Sequence, residues 1–201
     1  MSFSWRRPDL MLDCFRHQEV GRRPRQPACP GKVDRVSGCG SPAEQLSGRS
    51  VGPPQTEGFL FSSTRIAPDT VRAYLETEYH VFGEPAFTLQ VGEPSPALLA
   101  AHRRWRVQCS ALLTACNPLS GMVDEAANVL RQDALGRELS RLGFACLEGV
   151  GRHPSNGWPA EPSFLVMGLN LDTARNFGTR FDQNAVVWNA ADAVPQLILL
   201  R

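Results

Sequence analysis

The sequence predicts a single α+β domain, a mixed α/β fold in which a mixed sheet of five or six strands packs against about four helices. Apolar residues recur at helical spacing in some segments, while others alternate or are continuously apolar, as strands are. The two kinds of segment do not alternate strictly, which argues against a doubly wound parallel sheet. The chain of 201 residues carries 21 basic and 20 acidic residues, and 42% of its residues are hydrophobic. This composition is typical of a globular protein and excludes a collagen-like or wholly disordered chain.

The first third of the chain differs from the rest. Residues 1–64 are rich in Pro, Gly and Ser and show no sustained apolar period, so we expect a disordered or spurious N-terminal extension before a single domain at 65–201. Asp9 and Asp13 interrupt the apolar stretch that a secretion signal needs. No apolar stretch is long enough to span a membrane. We therefore expect a cytoplasmic protein with no membrane partner.

The elements of the domain follow from periodicity and from turn residues. Pro68 suits a first helical turn, Ser95-Pro96 restarts a helix, Gly143 suits a helix end and Asn170 suits a helix cap. A continuous apolar run at 110–116 is typical of a central strand covered on both faces. The pattern predicts helices at 68–80, 95–106, 123–142 and 170–181, with strands at 87–91, 110–116, 144–150, 163–169, 185–188 and 196–200.

The longest predicted helix has a defined apolar side. Its buried face is predicted to contain the residues Val123, Ala127, Leu130, Ala134, Leu135, Leu139 and Leu142.

Polar residues cluster where the predicted central strand ends. Thr114, Asn117 and Ser120 lie at this exit, and open α/β sheets bind ligands beyond the carboxyl ends of their strands. Asn128 and Arg131 follow one helical turn apart, and the guanidinium is a planar donor fork. The alternative is that Asn117-Pro118 is merely a turn and that Asn128 tethers the helix to it. The candidate ligand-binding residues are Thr114, Asn117, Ser120, Asn128, Arg131, Trp158 and Gln183.

His153 and Glu161 are the best candidates for proton transfer, because both lie in one predicted loop at 152–162 beside a tryptophan. Glu161 is equally suited to accepting hydrogen bonds that hold this loop in place. Gly149-Val150-Gly151 lacks the third glycine and the helix start of a dinucleotide site. Paired glycines at a strand end more often permit a bulge or a close backbone approach.

The cysteines and the other histidines indicate no metal site. The spacing of the six cysteines matches neither a zinc ribbon nor a disulfide scaffold, so reduced thiols are expected. His17, His80 and His102 lack the close spacing of metal ligands. We predict no metal and no cofactor.

Several motifs follow one another along the predicted domain. They are Thr114-Ala115-Cys116-Asn117-Pro118-Leu119-Ser120, Asn128 with Arg131, Gly149-Val150-Gly151-Arg152-His153-Pro154, the segment from Trp158 to Val166, and the segment from Gln183 to Trp188. In this order they resemble a family of bacterial proteins of unknown function, the one numbered 3293. The resemblance spans about residues 66–201 and implies no reaction, substrate or partner. The family pattern has an acid just before Asn128, where this chain has Ala127, which puts a site built on that acid in doubt.

The leading hypothesis is therefore a small cytoplasmic domain that binds a small polar or anionic ligand, with nucleotide-like molecules included. One alternative is a hydrolase or transferase that uses His153 and Glu161 as acid and base. Another is a protein-interaction module with an exposed apolar patch and no ligand pocket. We expect no nucleic-acid partner, because no basic patch in the predicted domain is interleaved with aromatic residues. The sequence does not determine the oligomeric state.

Overall fold

The computed structural model describes residues 64–201. The expected N-terminal extension, with Cys14, Cys29 and Cys39, therefore lies outside the described residues. Cys109, Cys116 and Cys146 form no disulfide within the described part. No helix among residues 64–201 is long and apolar enough to cross a membrane.

Seven strands form one sheet, in the order β2-β1-β4-β5-β3-β6-β7, and every pair of neighbours is antiparallel. A single 3₁₀ turn at Pro118–Ser120 follows β3. The elements are α1 (Pro68–Glu76), β1 (Glu78–Val81), β2 (Phe87–Leu89), α2 (Pro96–Trp105), β3 (Ser110–Leu113), α3 (Glu125–Arg141), β4 (Cys146–Arg152), β5 (Glu161–Met167), α4 (Leu171–Arg180), β6 (Ala185–Asn189) and β7 (Pro195–Leu199).

The predicted α/β fold with four helices is confirmed, but the predicted strand count was wrong. The sheet has seven strands rather than five or six, and it is antiparallel rather than mixed. The missed strand is β1, which the sequence analysis assigned to the first helix because Tyr79 continues its apolar spacing. Thr77 is extended at φ −69° and ψ 133° and ends α1. Its Oγ1 donates to the Ala73 carbonyl at 2.7 Å, which satisfies a carbonyl in the last turn of the helix.

The predicted helix starts at α2 and α4 are confirmed by their caps. The Ser95 side chain accepts from the backbone N–H of Leu98, and the Asn170 side chain accepts from that of Thr173. Gly143 follows α3 with φ +77°. The central position of β3 is also confirmed, since all four of its residues are buried between β5 and β6.

The predicted buried face of α3 was only partly right. Leu135 and Leu139 are buried, but Leu130 is 67% exposed and Leu142 is 48% exposed. The buried stripe runs instead through Gln132, Leu135 and Leu139, at the i, i+3, i+7 spacing of one helical face. Leu130 precedes Gln132 by two positions and so points away from the sheet.

The core lies on both faces of the sheet. Leu113 and Phe164 pack with Leu139 of α3 and Phe177 of α4 on one face. Leu112 and Leu165 pack with Leu98 of α2 on the other. The helices therefore form two layers around β3 and β5.

Gly149 lies where two strands approach closely. It pairs with Val81 of β1, and a Cβ built on it would lie 2.6 Å from the His80 carbonyl oxygen. Gly151 lies two positions further on the same strand, and its Cβ would meet nothing closer than 3.5 Å. Close backbone approach therefore explains the first of these two glycines.

We expect Gly149→Ala to lower the free energy of unfolding by about 1–3 kcal/mol, because the new methyl group forces the backbones of β1 and β4 apart. Gly151→Ala is the matched control and should change stability by less than about 1 kcal/mol, since alanine fits at ordinary contact distance. Urea unfolding of both variants measures the difference. Equal losses in the two variants would contradict this account of Gly149.

Candidate functional site

The turn after β3 has an unusual backbone. Asn117, Leu119 and Ser120 have φ values of +45°, +56° and +57°, in the left-handed region that favours glycine. For a residue other than glycine this conformation costs about 1–2 kcal/mol. Such residues persist where the surroundings hold them, and they concentrate at functional sites. The contacts that hold this turn therefore define the candidate site.

The first of these contacts hold Ala115, which is fully buried. Its N–H donates to Gln132 Oε1 at 2.9 Å, and its carbonyl accepts from Arg131 Nε at 2.8 Å. Arg131 Nη2 also donates to the Phe181 carbonyl at 2.6 Å and lies 3.4 Å from Asp182 Oδ2. The guanidinium thus joins the exit of β3 to the end of α4.

Cys116 is held in a similar way. Its N–H donates to Thr114 Oγ1 at 3.1 Å, and its carbonyl accepts from Gln183 Nε2 at 3.0 Å. Thr114 Oγ1 in turn donates to the Pro162 carbonyl at 2.8 Å. Burial raises the pKa of the Cys116 thiol, which keeps it protonated. A protonated, buried thiol is a poor nucleophile.

Asn117 and Asn128 form a reciprocal pair. The Asn117 N–H donates to Asn128 Oδ1 at 2.7 Å, and Asn128 Nδ2 donates to Asn117 Oδ1 at 3.0 Å. Asn117 Oδ1 also accepts from the Val123 N–H at 3.2 Å. Together with the contacts of Ala115 and Cys116, these bonds form what we call the turn cage, in which side chains satisfy the backbone of residues 115–117. Its members are Thr114, Asn128, Arg131, Gln132 and Gln183.

Glu161 connects this turn to a second loop. Its Oε1 accepts from Asn117 Nδ2 at 2.7 Å and from Trp158 Nε1 at 2.8 Å. Burial raises the pKa of Glu161, and the two hydrogen bonds offset part of that increase. Burial, with smaller contributions from Tyr74 and Glu161, also raises the pKa of Tyr79 and keeps its hydroxyl neutral. Glu161 therefore anchors the loop at residues 153–160 to the turn.

His153 makes different contacts. Its Nε2 lies 3.2 Å from Glu76 Oε2, and its Nδ1 accepts from the N–H groups of Ser155 and Asn156 at 3.1 and 3.0 Å. Because Nδ1 is an acceptor, the ring proton is assigned to Nε2. The hydrogen bonds of His153 within residues 64–201 thus go to α1 and to its own loop, and those of Glu161 go to Asn117 and Trp158.

A depression of about 680 Å³ lies between the start of α1 and the end of β7. Ser120 Oγ, on its wall, lies 2.5 Å from the Tyr74 hydroxyl and accepts from Asn184 Nδ2 at 3.0 Å. The Leu119 N–H donates to the Asp182 carbonyl at 2.7 Å. The turn held by the cage therefore forms one wall of this depression. The lining residues are Arg65, Ile66, Ala67, Thr70, Leu119, Ser120, Asn184, Leu200 and Arg201.

The structure places the seven predicted ligand-binding residues around one turn, but in two different settings. Ser120 lines the depression. The other six, Thr114, Asn117, Asn128, Arg131, Trp158 and Gln183, hydrogen-bond to the turn or to Glu161.

Sequence reasoning missed Gln132, Tyr74 and Asn184. Two of them had a visible signal, since Gln132 directly follows Arg131 and Asn184 directly follows Gln183. Tyr74 had none, because α1 reaches this turn only through the tertiary fold. The sequence analysis also missed Arg65 and Arg201, because these two arginines line one depression only in the tertiary fold.

A second polar cluster lies in the core, away from the turn. His102 Nε2 lies 2.8 Å from Ser110 Oγ, which accepts from Asn189 Nδ2 at 3.0 Å. All three residues are buried to 2% exposure or less, and burial lowers the pKa of His102. No substrate reaches a hydroxyl in this position, so the cluster joins α2 to β3 and β6. Within residues 64–201 no group of three or more metal-ligating side chains comes together.

We expect Glu161→Gln to make the stability of the protein less dependent on pH. The raised pKa of Glu161 means that its favourable contribution is present at low pH and is lost as the pH rises from the ordinary value of 4.5 through the folded-state pKa. Glutamine keeps an Oε1 acceptor for Asn117 and Trp158 but does not ionise. Urea unfolding at pH 4 and pH 7 should therefore show wild type losing stability, relative to the variant, at the higher pH.

Glu161→Ala provides the contrast for this experiment. It leaves the Asn117 and Trp158 donors without their acceptor, so it should destabilise the protein by about 1–3 kcal/mol at both pH values. A Gln variant that behaves like the Ala variant would show that the carboxylate itself, rather than its acceptor oxygen, is required.

Comparison with known proteins gives one match. Residues 113–186, from the end of β3 into β6, match the model of a family described as a protein of unknown function, DUF3293. The resemblance to family 3293 is therefore confirmed over these residues, which contain every member of the turn cage. No curated protein and no solved structure shows significant similarity to the chain.

Proposed function

We propose from the geometry that the domain binds a small anionic ligand in the depression between the start of α1 and the end of β7. The family that residues 113–186 match is described without an activity, so the proposal rests on the structure. The observation that carries this proposal is the lining: it contains Arg65 and Arg201 and no acidic residue. The chain as a whole has a formal net charge of only +1. Two arginines with no Asp or Glu side chain beside them in the lining of one concave surface favour an anion.

The neutral groups of the lining support the same chemistry. Thr70 and Ser120 offer hydroxyl groups. The Asn184 Nδ2 already donates to Ser120 Oγ and to the Tyr74 hydroxyl, so Asn184 positions Ser120 and is not itself a donor to the anion. Carboxylates and phosphates are the anions that guanidinium and hydroxyl donors bind best.

The rigidity of the turn also supports binding. Ser120 is fixed by Tyr74 and Asn184, and the residues before it are fixed by the turn cage. A group that is already in place loses little conformational freedom when a ligand arrives, so binding is stronger. The six predicted residues that do not line the depression would therefore support the proposed site by fixing the turn, without contacting the ligand. They are Thr114, Asn117, Asn128, Arg131, Trp158 and Gln183.

The two alternatives have weaker support. A hydrolase or transferase based on His153 and Glu161 needs both groups at one reacting atom, and their hydrogen bonds lead to different partners. An interaction module is supported by exposed apolar side chains on the turn and α3, which are Leu119, Met122, Val129 and Leu130. These side chains make the interaction module the second candidate if no ligand binds.

We expect the full chain to be stabilised by phosphate or by small carboxylates in a thermal-shift screen. Ligand at 100 times its Kd adds about 2.7 kcal/mol, which raises Tm by several degrees. Arg65→Gln should weaken phosphate binding about tenfold, equivalent to about 1.4 kcal/mol, because it removes one charged donor. Arg141→Gln is the control, since Arg141 is an exposed arginine at the end of α3 that does not line the depression.

Isothermal titration calorimetry of the three proteins measures these affinities. Equal weakening by both variants would indicate a non-specific charge effect and would contradict the proposed site. Absence of any shift across the anion panel would contradict the proposed function and favour the interaction module.

A further inference from the structure

We propose that the ligand is amphipathic: an anionic group joined to a short apolar group, with Leu119 as the residue that selects for the apolar part. This inference rests on the proposed function and specifies the class of ligand for the same depression.

The lining of the depression has an apolar part as well as a charged part. Ile66, Leu119 and Leu200 lie in it together with Arg65 and Arg201. Ile66 is buried, Leu200 is half-buried, and Leu119 is 45% exposed. A bare anion would use the arginines and hydroxyls and leave Leu119 and the exposed part of Leu200 in contact with water. An apolar group attached to the anion would cover them.

Leu119 is a costly residue for its position. Its backbone has φ +56° and ψ +26°, which glycine adopts without strain and a branched side chain does not. The side chain gains little from burial in return, because nearly half of its surface is exposed. Strain together with an exposed leucine is not explained by the stability of the described fold. Both features are explained if the side chain is presented to a ligand.

The backbone around Leu119 keeps it in this orientation. Its N–H is held by the Asp182 carbonyl at 2.7 Å, and the next residue, Ser120, is held by Tyr74 and Asn184. Leu119 is therefore fixed on both sides, and its side chain forms part of the wall.

The size of the depression agrees with a ligand larger than a bare anion. Its volume of about 680 Å³ lies within the range of about 300–1,000 Å³ that is usual for small-molecule sites. A phosphate or carboxylate group leaves most of that space for a further group.

The test measures the binding of five probes to the full chain by isothermal titration calorimetry. The probes are inorganic phosphate, hexyl phosphate, acetate, hexanoate and 1-hexanol. We expect hexyl phosphate to bind at least tenfold more tightly than inorganic phosphate, or hexanoate at least tenfold more tightly than acetate. The pair that shows the larger gain identifies the anionic group. 1-Hexanol should bind more weakly than either amphipathic anion, because it lacks the charge.

Leu119→Gly tests the residue. Glycine accepts the left-handed backbone, so this variant should be as stable as wild type or more stable. It should lose the gain from the hexyl group and bind the bare anion as before. Leu119→Asn is a second variant with a polar side chain that also tolerates this backbone, and it should behave in the same way. Leu130→Ala is the control, since it changes an exposed leucine that does not line the depression.

The outcomes separate this inference from the proposed function. If bare and hexyl-bearing anions bind equally, the inference is wrong and the anion site stands. If the hexyl gain persists in both Leu119 variants, Leu119 is not the selecting residue and the inference is overturned. If wild type binds no anion at all, the proposed function itself fails.

Discussion

The hydrogen bonds from side chains to the backbone of residues 115–117 are the constraint on which the site depends. The chain leaves the buried strand β3 without a neighbouring strand to pair with, and buried N–H and C=O groups are rarely left unpaired. Here the partners are side chains from α3, from the loop after α4 and from the turn itself. These bonds determine the path of the turn. They therefore hold Asn117, Leu119 and Ser120 in the left-handed conformation, three of four consecutive residues. The energy of the cage thus offsets the strain of the turn.

The same bonds position the helices relative to the sheet. Gln132 occupies a place in the buried stripe of α3 that an apolar residue would otherwise fill, and it is there because the Ala115 N–H needs an acceptor. Arg131 joins that helix to the end of α4 through the Ala115 and Phe181 carbonyls. The turn, α3 and α4 are therefore one connected unit. None of the cage side chains lines the depression. A substitution of any of them would still shift the backbone of the turn, and with it the positions of Leu119 and Ser120 in the wall.

Local sequence patterns predicted most of the elements, and their failures have physical causes. Helix caps and strand alternation depend on residues that are close in sequence. Ser95 and Asn170 were therefore predicted correctly as the residues at which α2 and α4 begin. Strand β1 was missed because four residues that continue a helical spacing carry no strand signal of their own, and pairing with β2 and β4 decides their conformation. Leu130 was wrongly predicted to be buried because the prediction considered only which helix residues are apolar. It did not consider that the Ala115 N–H after β3 needs an acceptor, which Gln132 of the same helix provides. A buried glutamine is chosen by its partner, and that partner is 17 residues away in sequence.

For the candidate site, the sequence pointed to the turn after β3 and left open what its residues do. Asn128 was considered either as a ligand contact or as a tether to the turn, and its reciprocal bonds with Asn117 are those of a tether. Glu161 was considered either as a proton-transfer group or as a loop anchor, and its bonds to Asn117 and Trp158 are those of an anchor. Arg65 and Arg201 lay beyond any such analysis, since the segment before α1 and the residues after β7 come together only in the folded domain.

The departure at Ala127 can be interpreted in the same terms. Asp124 caps α3 and accepts from the Ala127 N–H at 2.7 Å, so Ala127 is the third residue of the helix. A glutamate at that position is the second half of a capping box, in which its side chain returns to the N–H of the cap residue. The acid that the family resemblance implies at this position would therefore support the start of the helix. Ala127 cannot make that contact at the start of α3, but Asn128 stays bonded to Asn117, so the turn keeps its cage and the depression keeps its wall.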